Sequence, residues 1–294
     1  MADAPVHKII DLDPVDMSLT MFFPEGSMAA IEDERALFDS THVDYEKGMV
    51  RLAIQSHVVN IGGANVLVDA CIGEHKARPD RPHWNRRENT GFLEKLATAG
   101  FKAADIDFVF CTHLHADHVG WNTRLENGRW VPTFPNARYL VGATEFSHWR
   151  DQAGRDPDVN HGSYRDSVAP VLEAGLYTTV SPGDRFVDGA SIVSLAGHSV
   201  GQIGLELHRA DGPDLLLCGD ALHSPVQVSH PEWSTFVCDD PVQSATTRKE
   251  LIERVAGGDV LLMPAHLRKA PALGVRRVGG RHAPFFCTCE GAPV

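Results

Sequence analysis

The chain has 294 residues, a formal charge of −12, 43% hydrophobic and 22% charged residues. That acidic balance disfavours nucleic acid or an anionic membrane as a partner, and no stretch approaches the ~20 apolar residues of a membrane span. The length would allow two domains, but no Pro/Ser-rich linker, charge block or repeat divides the chain, so one domain with an N-terminal extension over residues 1–47 is expected. Residues 1–16 carry acidic side chains and no apolar core, so no signal peptide is expected. The six cysteines (71, 111, 218, 238, 287, 289) are scattered, three of them in or beside apolar runs. That is the habit of buried, reduced thiols and predicts a cytoplasmic protein. Cys287-Thr288-Cys289 reads as a tail with two thiols.

In chain order, Met21-Phe22-Phe23 followed by Pro24-Glu25-Gly26 reads as a strand or arm ending in a turn. Val50 to Ile61 and Val66 to Ala70, joined by Gly62-Gly63-Ala64-Asn65, form a hairpin signal. Asp69 stands at a strand end, where an unpaired carboxylate is costly and therefore needs donors. The loop Glu74 to Asn89 is rich in Arg, Pro and His. Its Trp84 is read either as a substrate wall or as the anchor of a surface loop. Thr90 to Ala99 predicts a helix stopped by Gly100.

The strand-like run Asp107 to Cys111 leads into Thr112-His113-Leu114-His115-Ala116-Asp117-His118. Packing rarely crowds imidazoles and a carboxylate this way, because each would need its own buried partner. Together they suit zinc and similar divalent ions. Glu145 to Asp151 predicts a helix, His148 and His161 are read as surface, and Phe146, Trp149 and Tyr164 as core packing. Three later apolar runs each end in a further donor: Ser191 to Gly197 delivers His198, Leu215 to Gly219 delivers Asp220, and Val260 to Ala265 delivers His266. Five His and two Asp exceed one tetrahedral ion and fit two ions sharing a carboxylate. His223 follows Asp220 by three residues, His230 to Trp233 reads as a pocket rim, and no Ser-His-Asp arrangement stands out. Asp240-Pro241 opens a helix ended by Gly257-Gly258, with Val242, Ala245, Ile252 and Val255 inward and Arg248, Lys249, Glu250 and Glu253 towards water. Residues 268–294 predict a final strand and a loose end.

His113-x-His115-x-Asp117-His118, with His198, Asp220 and His266 following in that order, resembles the metallo-β-lactamase-fold hydrolases, over roughly residues 48–267. The resemblance implies an α/β fold, an αββα sandwich of two mixed β-sheets flanked by helices, with residues 48–294 as the catalytic domain. It implies that His113, His115 and His198 hold one ion, that Asp117, His118 and His266 hold the other, and that Asp220 bridges them. The ions would be Zn2+, with Fe, Mn or Co as alternatives, and Asp69 would support them. The segment is similar to the lactonase and organophosphate-hydrolase branch. Class B β-lactamases usually lack the carboxylate at the position of Asp220, so that activity is not expected. The implied activity is attack by a metal-bridging hydroxide on a small ester, a lactone first, with Asp117 as a proton shuttle. Aryl-ester, phosphotriester or thioester hydrolysis and dehalogenation are the alternatives, with a metal-binding sensor as the non-enzymatic one. Some lactonases of this fold have Tyr where His223 stands, so His223 either donates to an oxyanion or supports the ligands. The resemblance also suggests a homodimer with a small-molecule substrate, the N-terminal segment packing on the domain or on the dimer partner.

Overall fold

The structure is a computed structural model that describes residues 5–294; the first four residues of the predicted extension lie outside the described residues. In chain order the strands are β1 (His7–Ser18), β2 (Val43–Asp44), β3 (Met49–Ile61), β4 (Ala64–Val68), β5 (Phe108–Cys111), β6 (Thr123–Glu126), β7 (Arg129–Pro132), β8 (Arg138–Gly142) and β9 (Tyr177–Val180). They continue with β10 (Ala190–Ser194), β11 (Ile203–Leu207), β12 (Asp214–Gly219), β13 (Val260–Pro264), β14 (Ala272–Val278) and β15 (Arg281–Cys287). The helices are α1 (Leu19–Phe22), α2 (Phe92–Thr98), α3 (Ala116–Val119), α4 (Ala143–Arg155), α5 (Ala169–Glu173), α6 (Val226–Ser229) and α7 (Pro241–Val255). One sheet runs β1-β3-β4-β5-β8-β9 with β2 on β3, the other β10-β11-β12-β13-β14-β15, and β6-β7 is a separate hairpin. Both large sheets mix parallel and antiparallel pairs, as expected of the α/β class.

The chain divides into two compact units. The first comprises Ile54–Asp188 with the described residues before Leu12. Its predicted hairpin forms between β3 and β4, which pair from His57 opposite Val68 to Ile61 opposite Ala64. β4, β5, β8 and β9 then lie parallel. Val66, Leu67, Val109, Phe110 and Val141 are fully buried, so the near-continuous apolar runs in the sequence reflect burial of a parallel sheet. The helix expected from Thr90 begins at Phe92, because Gly91 takes a left-handed conformation at its N-cap.

The second unit joins Leu12–Ala53 to Gly189–Val294. β1 continues to Ser18, and Met21-Phe22-Phe23, expected as a strand or arm, instead forms the end and C-cap of α1. Leu19, Phe22, Phe23, Ile31, Phe38, Val43 and Val50 pack with Val226 and Trp233 in one apolar cluster. Trp233, read as a pocket rim, is therefore core. The Asp240 carboxylate caps α7 by accepting from the Gln243 amide at 2.9 Å, and Pro241 opens the helix. Its inward face differs from the expected one: Ser244, Arg248, Leu251, Ile252 and Val255 are buried, whereas Val242 is 76% exposed. Residues 268–294 form more than one strand; β14 and β15 pair from Ala272 opposite Cys287 to Val278 opposite Arg281. Among the described residues no helix is long and apolar enough to cross a membrane.

Candidate functional site

In the first unit the His-rich stretch leaves the end of β5 and folds into the short helix α3. His113 and His118 are buried, while His115 and Asp117 are partly exposed. The ring centroids of His113 lie 4.6 Å from His115 and 4.0 Å from His118. Asp69 gathers the donors predicted for it. Its carboxylate accepts from the Thr112 amide at 2.8 Å and from the Thr112 hydroxyl at 2.8 Å, and pairs with His118 Nδ1 at 2.9 Å. Since the Thr112 hydroxyl donates to Asp69, its oxygen is left to accept from His113 Nδ1, 3.1 Å away. One buried carboxylate thus orients two imidazoles, the role expected of it. Asp69 has φ +57°, a left-handed backbone that Asp tolerates better than most residues.

The stretch is braced from behind by residues the sequence reading did not single out as supports. Glu145 on α4 accepts from the Leu114 amide at 2.9 Å and from Trp149 Nε1 at 2.7 Å. The side chain of Asn160 accepts from the Ala116 amide at 3.1 Å and donates to the Leu114 carbonyl at 2.7 Å, matching a whole peptide edge. Gly120 lies so close to the Ile72 carbonyl that a Cβ there would collide with backbone. No local pattern marks these residues, because the partners of Asn160 lie more than forty positions away.

In the second unit β12 and β13 are parallel neighbours, with Gly219 opposite Pro264 across a bulge. This brings Asp220 and His266 to the same sheet edge. His198 follows β10, which runs in the same direction two strands away. The Asp220 carboxylate lies 3.3 Å from His198 Nε2, 3.1 Å from His266 Nε2 and 3.1 Å from His223 Nε2. His266 turns Nδ1 to the Ala53 carbonyl at 2.8 Å, and His198 turns Nδ1 to the Cys238 sulfur at 3.5 Å. His223 is buried, stacked 5.7 Å from His266 and edge-on to Phe22 of α1 at 5.5 Å. Burial lowers its pKa against the pull of Asp220. Gly197 (φ +132°) approaches the start of α7 so closely that a Cβ would enter the Ser244 backbone.

Other predicted residues fall elsewhere. Trp84 packs edge-on against His161 at 6.1 Å with Arg81 5.5 Å over its ring, the arrangement of a loop anchor. His148 and His161, read as surface, are both half-buried. The His161 carbonyl accepts from Arg78 at 2.9 Å, and burial lowers its imidazole pKa. Trp149 is buried as expected, and Phe146 packs on Tyr177.

The family model of the metallo-beta-lactamase superfamily matches residues 50–266, and the chain belongs to that superfamily. A curated relative, metallo-beta-lactamase domain-containing protein 1 of Xenopus laevis, is 24% identical over 246 residues, covering 82% of this chain and 89% of that protein. The crystal structure of the hydrolase AbOPH superposes with a TM-score of 0.78 at 23% identity, covering 98% of this chain and 95% of the other. The dizinc quorum-quenching lactonase AidC, in complex with a homoserine product, does so at 0.76 and 18%, covering 98% and 96%. The fold expected from the sequence is the fold found.

Proposed function

We propose that the protein is a metal-dependent hydrolase of small esters, with a lactone as the preferred class. On this reading the seven residues named from the sequence, His113, His115, Asp117, His118, His198, Asp220 and His266, hold two divalent ions, zinc first. The observation that carries it is a shared habit of the four buried histidines among these seven residues. His113, His118, His198 and His266 each engage a protein group through Nδ1. That leaves Nε2 as the presented nitrogen, which is how proteins prepare imidazole ligands. Nitrogen donors mixed with carboxylates suit zinc and its neighbours rather than calcium or magnesium.

When bound, such ions supply a water acidified to near neutrality and positive charge beside an ester oxygen. The chain's own groups do the rest. Asp117, partly exposed, holds and passes a proton through its carboxylate oxygens. His223, with Nε2 against Asp220, orients that carboxylate, a role its geometry supports over donation to an oxyanion. The superposed lactonase is dizinc and carries its opened product, which supports the lactone class.

The test is proton release from aliphatic and aromatic lactones, aryl esters and a phosphotriester, using metal-loaded and chelator-stripped protein. Metal-dependent turnover, strongest on a lactone and lost in Asp220→Ala, is expected. Undiminished turnover after stripping or in Asp220→Ala would sink the proposal, and a preference for the phosphotriester would replace its substrate class.

A further inference from the structure

The partner of His198 is unusual for an imidazole of this kind. Such rings commonly donate to a carboxylate, a carbonyl or water. Here the acceptor is a thiol: Cys238 Sγ lies 3.5 Å from Nδ1, within the longer range of hydrogen bonds to sulfur. The sulfur is itself fixed, 3.5 Å from the Ser244 hydroxyl and 3.3 Å from that of Thr235. Ser244 in turn accepts from Arg248, whose guanidinium reaches its hydroxyl at 3.4 Å. Arg248 is fully buried, and among the described residues it forms no ion pair. It donates instead to Pro231 O at 3.1 Å, to Ser234 Oγ at 3.1 Å and to Ala221 O at 3.5 Å. Ala221 directly follows Asp220, so the chain that begins at His198 ends at the turn carrying the carboxylate.

The backbone holds the same register. The Asp239 amide donates to the His198 carbonyl at 2.9 Å and the Asp240 amide to the Gly197 carbonyl at 3.0 Å. The Thr247 hydroxyl donates to the Ala196 carbonyl at 2.7 Å. With the Gly197 backbone pressed against Ser244, the His198 turn has little freedom to approach or leave the sulfur.

We propose that Cys238 is the positioning residue for His198: its sulfur accepts the Nδ1 proton, so that Nε2 is presented, and the Ser244–Arg248 pair holds the sulfur in place. The directions agree along the chain. On the metal-dependent reading, an ion held at Nε2 would leave the ring proton on Nδ1; the thiol then receives that hydrogen bond and passes its own to Ser244. The inference rests on the metal-dependent reading above and deepens it, since neither motif spacing nor the ligand pattern singles out residue 238.

The experiment is a chelator competition for zinc on wild type, Cys238→Val, Cys238→Ala and Cys238→Ser, with thermal unfolding as the control for the fold and kcat and KM measured separately. Val and Ala remove the acceptor, and Ser restores a shorter one. The expected result is a loss of at least about tenfold in zinc affinity for the Val and Ala variants, the usual scale for an outer partner of a ligand. A fall in kcat exceeding the change in KM should accompany it, with both substantially recovered by Ser. Wild-type zinc affinity in both the Val and Ala variants would overturn the inference and leave the hydrolase reading standing. A Ser variant as weak as Val would also overturn it, because the thiol would then act by packing alone. Wild-type protein that binds no zinc would remove the hydrolase reading and this inference together.

Discussion

His57 on β3 shows how a single imidazole can govern acid stability without taking part in any site. It is buried, and burial, helped by the charge of Lys8, lowers its pKa to about 3. The folded protein therefore holds it neutral, whereas the unfolded chain protonates it near 6.5. Its contribution is complete above that value and is lost as pH falls from 6.5 towards 3, at about 1.4 kcal/mol per pH unit. Replacing His57 with Leu should move the midpoint of acid unfolding, followed by tryptophan fluorescence, to lower pH; an unchanged midpoint would assign acid sensitivity to other groups. At this scale the sequence was legible wherever residue types are improbable in their context. Three His and an Asp within six positions announce themselves, as do His198, Asp220 and His266 at the ends of apolar runs. Glu145, Asn160 and Cys238 did not, because each is an ordinary residue for its segment and acquires its role only from a distant partner.

Elements were legible where their signals are local. The Asp240-Pro241 start of α7 and the glycine-bounded hairpin of β3 and β4 were both readable. The face α7 buries was not, since a helical wheel places Arg248 in water and only the oxygens of Ala221, Pro231, Ser234 and Ser244 make its burial tolerable. A Ser-His-Asp chain also escaped notice. Ser191 Oγ lies 2.7 Å from His208 Nε2, and His208 Nδ1 lies 2.9 Å from Asp214, tying edge strand β10 to the turn between β11 and β12. The 74–91 loop has a comparable tie in the first unit. Arg78 grips Asp166 with two bonds of 2.6 and 2.9 Å, and Lys76 donates to the Asp166 carbonyl at 3.0 Å while lying 3.5 Å over the Trp130 ring. Asp166→Ala would leave the buried guanidinium without its counter-charge and should cost about 3–5 kcal/mol in chemical denaturation. A loss below 1 kcal/mol would show that the loop tolerates the unpaired cation.

For the molecule as a whole, the superfamily was readable because the order His113-x-His115-x-Asp117-His118, then His198, Asp220 and His266, is a sequence of donors that few other folds share. The division into two units was not readable, since no linker marks it and both units are assembled from separate segments. On the proposed reading, ions that bind only the folded protein stabilise it by mass action, by about 4 kcal/mol at a thousandfold excess over the dissociation constant. Adding zinc to stripped protein should therefore raise the thermal unfolding temperature by several degrees, and chelator should reverse the gain. A melting curve indifferent to zinc would contradict the ligand assignment whatever the substrate.

The split of the second unit into Leu12–Ala53 and Gly189–Val294 has a consequence for how the protein is made. Leu19, Phe22, Phe23, Ile31 and Phe38 leave the ribosome early, but their packing partners Val226 and Trp233 are translated much later. At roughly 5–20 residues per second, the intervening segment alone takes on the order of ten seconds to synthesise. The first unit, mostly continuous in sequence, can close during that interval. Until then the N-terminal aromatics lack the cover that Val226 and Trp233 give them in the folded protein, a window in which a chaperone could hold them.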